Sequence, residues 1–191
     1  MLVTQTDILE QIKQLILDCI AGNRLSQNQL YQLFASKMFA VCLRYSKNRE
    51  EAEEIVQEGF VQAFRSLKNF RYEGSFEGWL RKIMVYCSIQ HFRRQSKMPQ
   101  VVHIDTSYVE KTGSEDILPQ LDKKELLKMV QALPPAYRMV FNLYVFEGLK
   151  HREIAELLHI AEGTSKSNFF DAKLILQRAV TSSLKVAKQN Y

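Results

Sequence analysis

Glycine and proline are scarce in this chain, at 7 and 4 residues, and β-branched alternation is almost absent. Both shortages exclude a turn-rich sheet protein and leave helix as the default. Cysteine is scarce too. Cys19, Cys42 and Cys87 are odd in number and widely separated, which excludes a disulfide framework and a thiolate zinc site. Each falls in an apolar helical pattern and reads as a small buried hydrophobe. His91, His103, His151 and His159 lack ligand spacing, so no metal is expected. No convergent acid, base or nucleophile appears. The chain therefore reads as no enzyme, with no cofactor and no small-molecule substrate. Long apolar runs are missing as well. The best of them, "LILDCIA", is broken by Asp18 and far too short to span a bilayer. No basic-then-apolar leader opens the sequence, and a cytoplasmic location is expected.

What is present is helical periodicity and positive charge. The 191 residues carry a net charge of +5, which favours an anionic partner such as nucleic acid. Ile8, Leu9, Ile12, Leu15, Ile16 and Cys19 fit a first amphipathic helix that stops at "AGN". Ser26 is a plausible cap for a second helix, whose apolar face is Leu30, Phe34, Met38, Val41, Cys42 and Tyr45. A third starts near Arg49 with the stripe Ala52, Val56, Gly59, Phe60, Ala63, Phe64 and Leu67. Its opposite face starts acidic. An aromatic loop, "NFRYEGSFEGW", precedes a fourth helix over about 76–94.

The pattern then fails over "QSKMPQVVHIDTSYVEKTGSEDILPQ", which Pro99, Gly113 and Pro119 interrupt. It is longer than most loops inside a domain and reads as a flexible linker. Helical pattern resumes at Leu121. The expected architecture is all-α, with two small helical domains: 1–95, a linker over 96–120, and 121–191.

In the C-terminal domain, "HREIAELLHIAEGTSKS" ends one helix and starts another within a few residues. Such a tight corner makes the helices cross steeply, as in a helix-turn-helix. Ile154, Ala155, Leu157 and Leu158 bury the first helix, Ile160 plugs the turn, and Gly163 is expected to let the second approach closely. Lys166, Ser167 and Phe170 then share an outward face. They can reach phosphate, base edges and a thymine methyl. In the N-terminal domain Glu54, Gln57 and Glu58 form a face that DNA would repel, suited to a protein partner or simply to solvent. Lys82, Tyr86, Gln90 and Arg93 recur at steps of three or four with Trp79, and Arg94 lies beside them. Basic groups interleaved with rings suit a single strand, where bases stack and phosphates are neutralised. Trp79 reads as a wedge between helices.

Three segments carry a resemblance: "EEAEEIVQEGFVQAFRSLKNF", "FEGWLRKI" and "LPPAYRMVFNLYVFEGLKHREIAELLHIAEGTSKS". Together, and in this order, they resemble a bacterial RNA polymerase sigma factor of the extracytoplasmic-function (ECF) group. The details "YRMVFNLYV" and "EGTSKS" are most similar to members from Bacteroidetes-type bacteria. The resemblance implies promoter-specific initiation. Glu54, Gln57 and Glu58 would dock on core RNA polymerase. Lys82, Tyr86, Gln90, Arg93 and Arg94 would hold the melted −10 element of promoter DNA. Lys166, Ser167, Phe170 and Asp171 would read the duplex −35 element. It also implies an anti-sigma factor as partner, in this family often membrane-anchored.

The sequence departs from the family at four places. Tyr86 stands where Asn is usual, Gln90 where Asp is usual, Asp171 where Arg is usual, and Ala161 where a capping Ser is typical. Two rivals accompany the sigma reading: an ordinary helix-turn-helix regulator, and an interaction module that has lost promoter recognition. The acidic helix and the aromatic, basic loop argue against the regulator.

Overall fold

The computed structural model describes residues 5–96 and 123–189. Among them every regular element is a helix. α1 spans Gln5–Ile20, α2 Arg24–Tyr45, α3 Arg49–Ser66 and α4 Phe76–Gln95. α5 spans Lys123–Gln131, α6 Pro135–Val145, α7 His151–Leu158 and α8 Glu162–Gln189. A single 3-10 turn, Leu67–Asn69, follows α3. The expected linker falls almost wholly outside the described residues.

Local chemistry sets the helix starts. The Asn48 side chain accepts the Glu51 amide at 3.0 Å to open α3, and Ser75 Oγ accepts the Gly78 amide at 3.0 Å to open α4. Pro135 occupies the first position of α6, where its missing N–H costs nothing. α2 corrects the reading of Ser26. Its cap is Asn23, whose Oδ1 accepts the Leu25 and Ser26 amides at 2.9 and 3.2 Å. Ser26 lies inside the helix and is buried. The outer part of α1 is a second correction. Ile16 and Cys19 are buried, but Ile8 and Leu9 are exposed, Leu9 by 61%. No element among the described residues covers that end.

α2, α3 and α4 pack around one core, and the predicted stripes of α2 and α3 supply it. α3 and α4 come close at Gly59, where a Cβ would sit 2.3 Å from Met84 Sδ on α4. The larger apolar cluster also takes in Met139, Val140, Leu143, Ile154 and Leu158 from α6 and α7. A smaller cluster, Val130, Leu133, Ala172 and Leu176, ties α5 to α8. Burial pushes the thiols of Cys42 and Cys87 up to about 12 and that of Cys19 to about 11, as expected of cysteines serving as core hydrophobes.

Candidate nucleic-acid interface

α7 and α8 form the expected corner. Ile154, Ala155 and Leu158 face inward because they fall at helical spacing on one side of a two-turn helix. Glu153 reaches back to accept the Lys150 amide at 2.6 Å and fixes where α7 starts. His159 ends it in a left-handed conformation, φ +51°, and the Ile160 amide donates back to the Ala155 carbonyl at 3.1 Å. Histidine tolerates this region better than bulky or branched residues do. The chain thus turns sharply without glycine. Gly163 is not the close-contact residue expected from sequence, since nothing lies within 4 Å of where its Cβ would be. The small residue at the helix crossing is Ser165, fully buried.

The outward face of α8 carries Lys166, Ser167 and Phe170, all exposed. Lys166 Nζ is 2.7 Å from Glu162 Oε1, one turn earlier, and Ser167 Oγ donates to the Thr164 carbonyl at 3.1 Å. Phe170 is 62% exposed. A phenyl ring held in water on a rigid helix, beside a lysine, is a ready contact for a thymine methyl. Asp171 is half-buried and makes no ion pair among the described residues.

Sequence reasoning missed the residues that aim this helix. His151 Nδ1 and Ser165 Oγ are 3.0 Å apart. The His151 ring stacks on Tyr144 with centroids 4.6 Å apart, and Tyr144 packs on Phe169 at 4.3 Å. α6, α7 and α8 are therefore pinned together at the first turn of α8. No sequence spacing signals this, because the partners lie 14 residues apart on different helices. Burial, and then the charge of Lys166, lower the His151 pKa from its ordinary value of about 6.5. A depressed histidine favours the unfolded state once protons are available. Its stabilising contribution is complete above that ordinary value and is lost as pH falls below it. The Tm of the chain should fall between pH 7.5 and 5.5, and His151→Gln, which keeps a polar partner for Ser165 but cannot titrate, should flatten part of that fall. Superimposable pH profiles for the two proteins would remove His151 from the account.

In the N-terminal half, Trp79 is the wedge its position suggested, with ring centroids 5.4 Å from Phe70 and 5.6 Å from Phe76. Lys82, Tyr86 and Gln90 line the adjoining face of α4, half-buried. Arg93, at the end of that row, is only 5% exposed, and its guanidinium donates to the Leu157 carbonyl of α7. Arg94 is exposed and points toward α3, its Nη2 donating to both carboxylate oxygens of Glu58 at 2.9 and 2.7 Å. The acidic face of α3 is thus partly committed. Glu58 is held by Arg94, Glu53 by Arg49 at 2.7 Å, and Glu51 by His91 at 3.0 Å. Glu54 and Gln57 are exposed, and Glu54 makes no ion pair among the described residues. In the loop between α3 and α4, Tyr72 sits at φ +60°, 46% exposed, its ring against Phe70 at 4.7 Å. Such a backbone is uncommon for an aromatic residue.

A helix-turn-helix with a lysine and an exposed aromatic ring on its outward face, joined to a second helical unit bearing an acidic face, is the arrangement of a transcription protein. The sequence profile described as Sigma-70 region 2 matches residues 30–98, and that described as Sigma-70, region 4 matches residues 123–176. The chain is 25% identical over 189 residues to the RNA polymerase sigma-H factor of Pseudomonas aeruginosa, covering 93% of this chain and 98% of that one. It is 30% identical over 148 residues to the ECF RNA polymerase sigma factor SigE of Mycolicibacterium smegmatis, covering 74% of this chain and 56% of the relative. A solved structure of the sigma factor RpoE in complex with the anti-sigma factor NepR from Bartonella quintana aligns with a TM-score of 0.47 at 22% identity, over 81% of this chain and 96% of that chain. The chain belongs to the sigma-70 family and is an RNA polymerase sigma factor of the ECF group. It binds core RNA polymerase and directs promoter-specific initiation. Sigma factors are transcription initiation factors. Among the described residues no helix is long and apolar enough to cross a membrane.

Proposed function

We propose the following division of labour within this sigma factor. The α3 face, Glu54, Gln57 and Glu58, docks on core polymerase. The α4 row, Lys82, Tyr86, Gln90 and Arg93 with Arg94, holds the melted −10 strand. Lys166, Ser167, Phe170 and Asp171 on α8 read the duplex −35 element. The two DNA-binding units are the halves 1–95 and 121–191, joined through 96–120. An anti-sigma factor restrains the protein until its signal arrives, and the protein works in the cytoplasm, where polymerase and promoter meet. The observation that carries this reading is the solvent-held Phe170 beside Lys166 on the first turns of α8. A solvated helix face would gain nothing from that ring, whereas a groove-facing one would. Run-off transcription with purified core polymerase, with and without this chain, is the test. Initiation that depends on both promoter elements supports the proposal. Polymerase binding without initiation would make the chain an interaction module instead.

Asp171 sets the sharpest expectation at the −35 face. A carboxylate is repelled by phosphate and bonds base edges mainly at cytosine N4. Asp171→Arg should bind −35 duplex more tightly, steepen the salt dependence by roughly one phosphate contact, and broaden the set of sites used. Sites selected from a random −35 library by the two proteins report this directly. Identical motifs with identical salt slopes would leave Asp171 as a surface charge.

A further inference from the structure

The start of α8 is held by very little. Of the described residues 161–168, Ser165 alone is buried. Glu162, Gly163, Thr164, Lys166 and Ser167 are exposed, and among the described residues nothing lies within 4 Å of where a Gly163 Cβ would be. Apolar packing grips the helix further on, at Phe169, Ala172 and Leu176. Yet the N-terminal residues of the second helix are the ones that meet base edges in a helix-turn-helix. That first turn hangs on one small side chain, whose hydroxyl lies 3.0 Å from His151 Nδ1 at the start of α7.

The imidazole is itself steadied. It stacks on the Tyr144 ring of α6 with planes only 18° apart. Phe169 packs on both rings, its centroid 4.3 Å from Tyr144 and 5.7 Å from His151, and Lys173 Nζ lies 5.1 Å from the Phe169 centroid. Ser165 and Phe169 are one turn apart, so both grips act on the same side of α8. Each is followed directly by a residue of the outward face, Lys166 and Phe170, roughly 100° further round the axis. The rotation of α8 that these contacts select is therefore the rotation at which Lys166 and Phe170 are presented.

We propose that His151, stacked on Tyr144, is a positioning residue for promoter recognition: through Ser165 it sets the rotation of α8, and so which base pair Lys166 and Phe170 meet. The proposal rests on the assignment of α8 to the −35 element.

Geometry sets the size of the effect. A helix with its side chains is ~11 Å across, so a rotation of ~20° carries a side-chain tip sideways by ~2 Å. Successive base pairs stand ~3.4 Å apart. A slip of that size takes a ring off one thymine methyl and moves an ammonium between neighbouring bases. Phosphate contacts carry no sequence information and survive it through the reach of a flexible lysine. Loss of the His151 contact therefore spares affinity for DNA in general and blurs the choice of sequence. Loss of stability alone would lower binding to every site equally.

The test uses the full chain assembled with core polymerase, on a promoter library randomised over the −35 element. His151→Phe keeps a ring against Tyr144 and removes the nitrogen. Ser165→Ala removes the hydroxyl. Each should lower the preference for selected over scrambled −35 sites by roughly threefold to tenfold, the value of one hydrogen bond, and leave affinity for scrambled sites unchanged. The double variant should lose no more than either single one, because both remove the same contact. His151→Asn, which returns a polar group close to the ring, should recover part of the preference. In the free chain, amide exchange over residues 164–167 should quicken in both single variants. Should His151→Phe lose helicity, Ser165→Ala, a change of one atom, decides the matter. Unchanged preference in helical variants, an equal fall at every site, or losses that add in the double variant overturns the positioning role. Lys166→Ala and Phe170→Ala examine the underlying assignment. Unchanged −35 preference in both would overturn that assignment and the proposal with it, whereas altered preference there beside unaffected His151 and Ser165 variants overturns the proposal alone.

Discussion

Leucine in place of Gly59 should cost the protein about 3 kcal/mol or more, and lower its Tm by roughly 10 °C. Even a Cβ at this position would stand 2.3 Å from Met84 Sδ and 2.9 Å from its Cε, well inside contact distance. Met84 is flexible, but it is fully buried, so its sulfur can move only against the packed core around it. Removing a mid-helix glycine returns at most ~1 kcal/mol of helix propensity, so overpacking wins. Trimming the opposing side chain should recover part of the loss. Gly59→Leu with Met84→Ala is expected to be more stable than the sum of the two single variants by at least ~1 kcal/mol. Thermal and urea unfolding of the four proteins measure this coupling. A Gly59→Leu protein as stable as wild type would mean that Met84 moves aside without cost.

Glu54→Lys should weaken binding to core polymerase by roughly tenfold to a hundredfold, because like charges brought together at an interface cost several kcal/mol. Glu54 is the clean place to test the acidic face, being exposed and without an ion pair among the described residues. Glu58 is not equivalent. It already holds Arg94 at 2.7 Å, so Glu58→Lys would also set two cations against each other and disturb α4. The effect of Glu54→Lys should diminish as salt is raised, since a rim charge is screened within a Debye length of about 10 Å at 0.1 M. A titration of labelled chain with core polymerase at two ionic strengths reads both. Unchanged affinity with unchanged helicity would move the docking surface off α3.

Much of this protein was determined by its sequence alone. Apolar residues recurring every three or four positions dictate the buried faces of α2 and α3, because an amphipathic helix turns its apolar stripe to the core. The abrupt restart after "HREIAELLHI" dictates the helix-turn-helix, and the three ordered segments dictate the family. Local rules were less secure where neighbours compete. Asn23 took the cap that Ser26 could have provided, and Ile8 and Leu9 kept their period but stay exposed among the described residues. Only the tertiary structure decided how the halves meet. Whether Gly163 or Gly59 is the crowded glycine depends on which helix lies opposite, and it is Gly59. The setting of α8 by His151, Ser165 and Tyr144 joins three helices. The capping of α2 by Gln131, Arg138 and Asn142 joins residues 88 to 98 positions apart. Periodicity specifies which side of a helix turns inward. The identity of the surface it then meets is fixed by long-range packing and by the need of buried donors and helix-end carbonyls for partners, which no local pattern encodes.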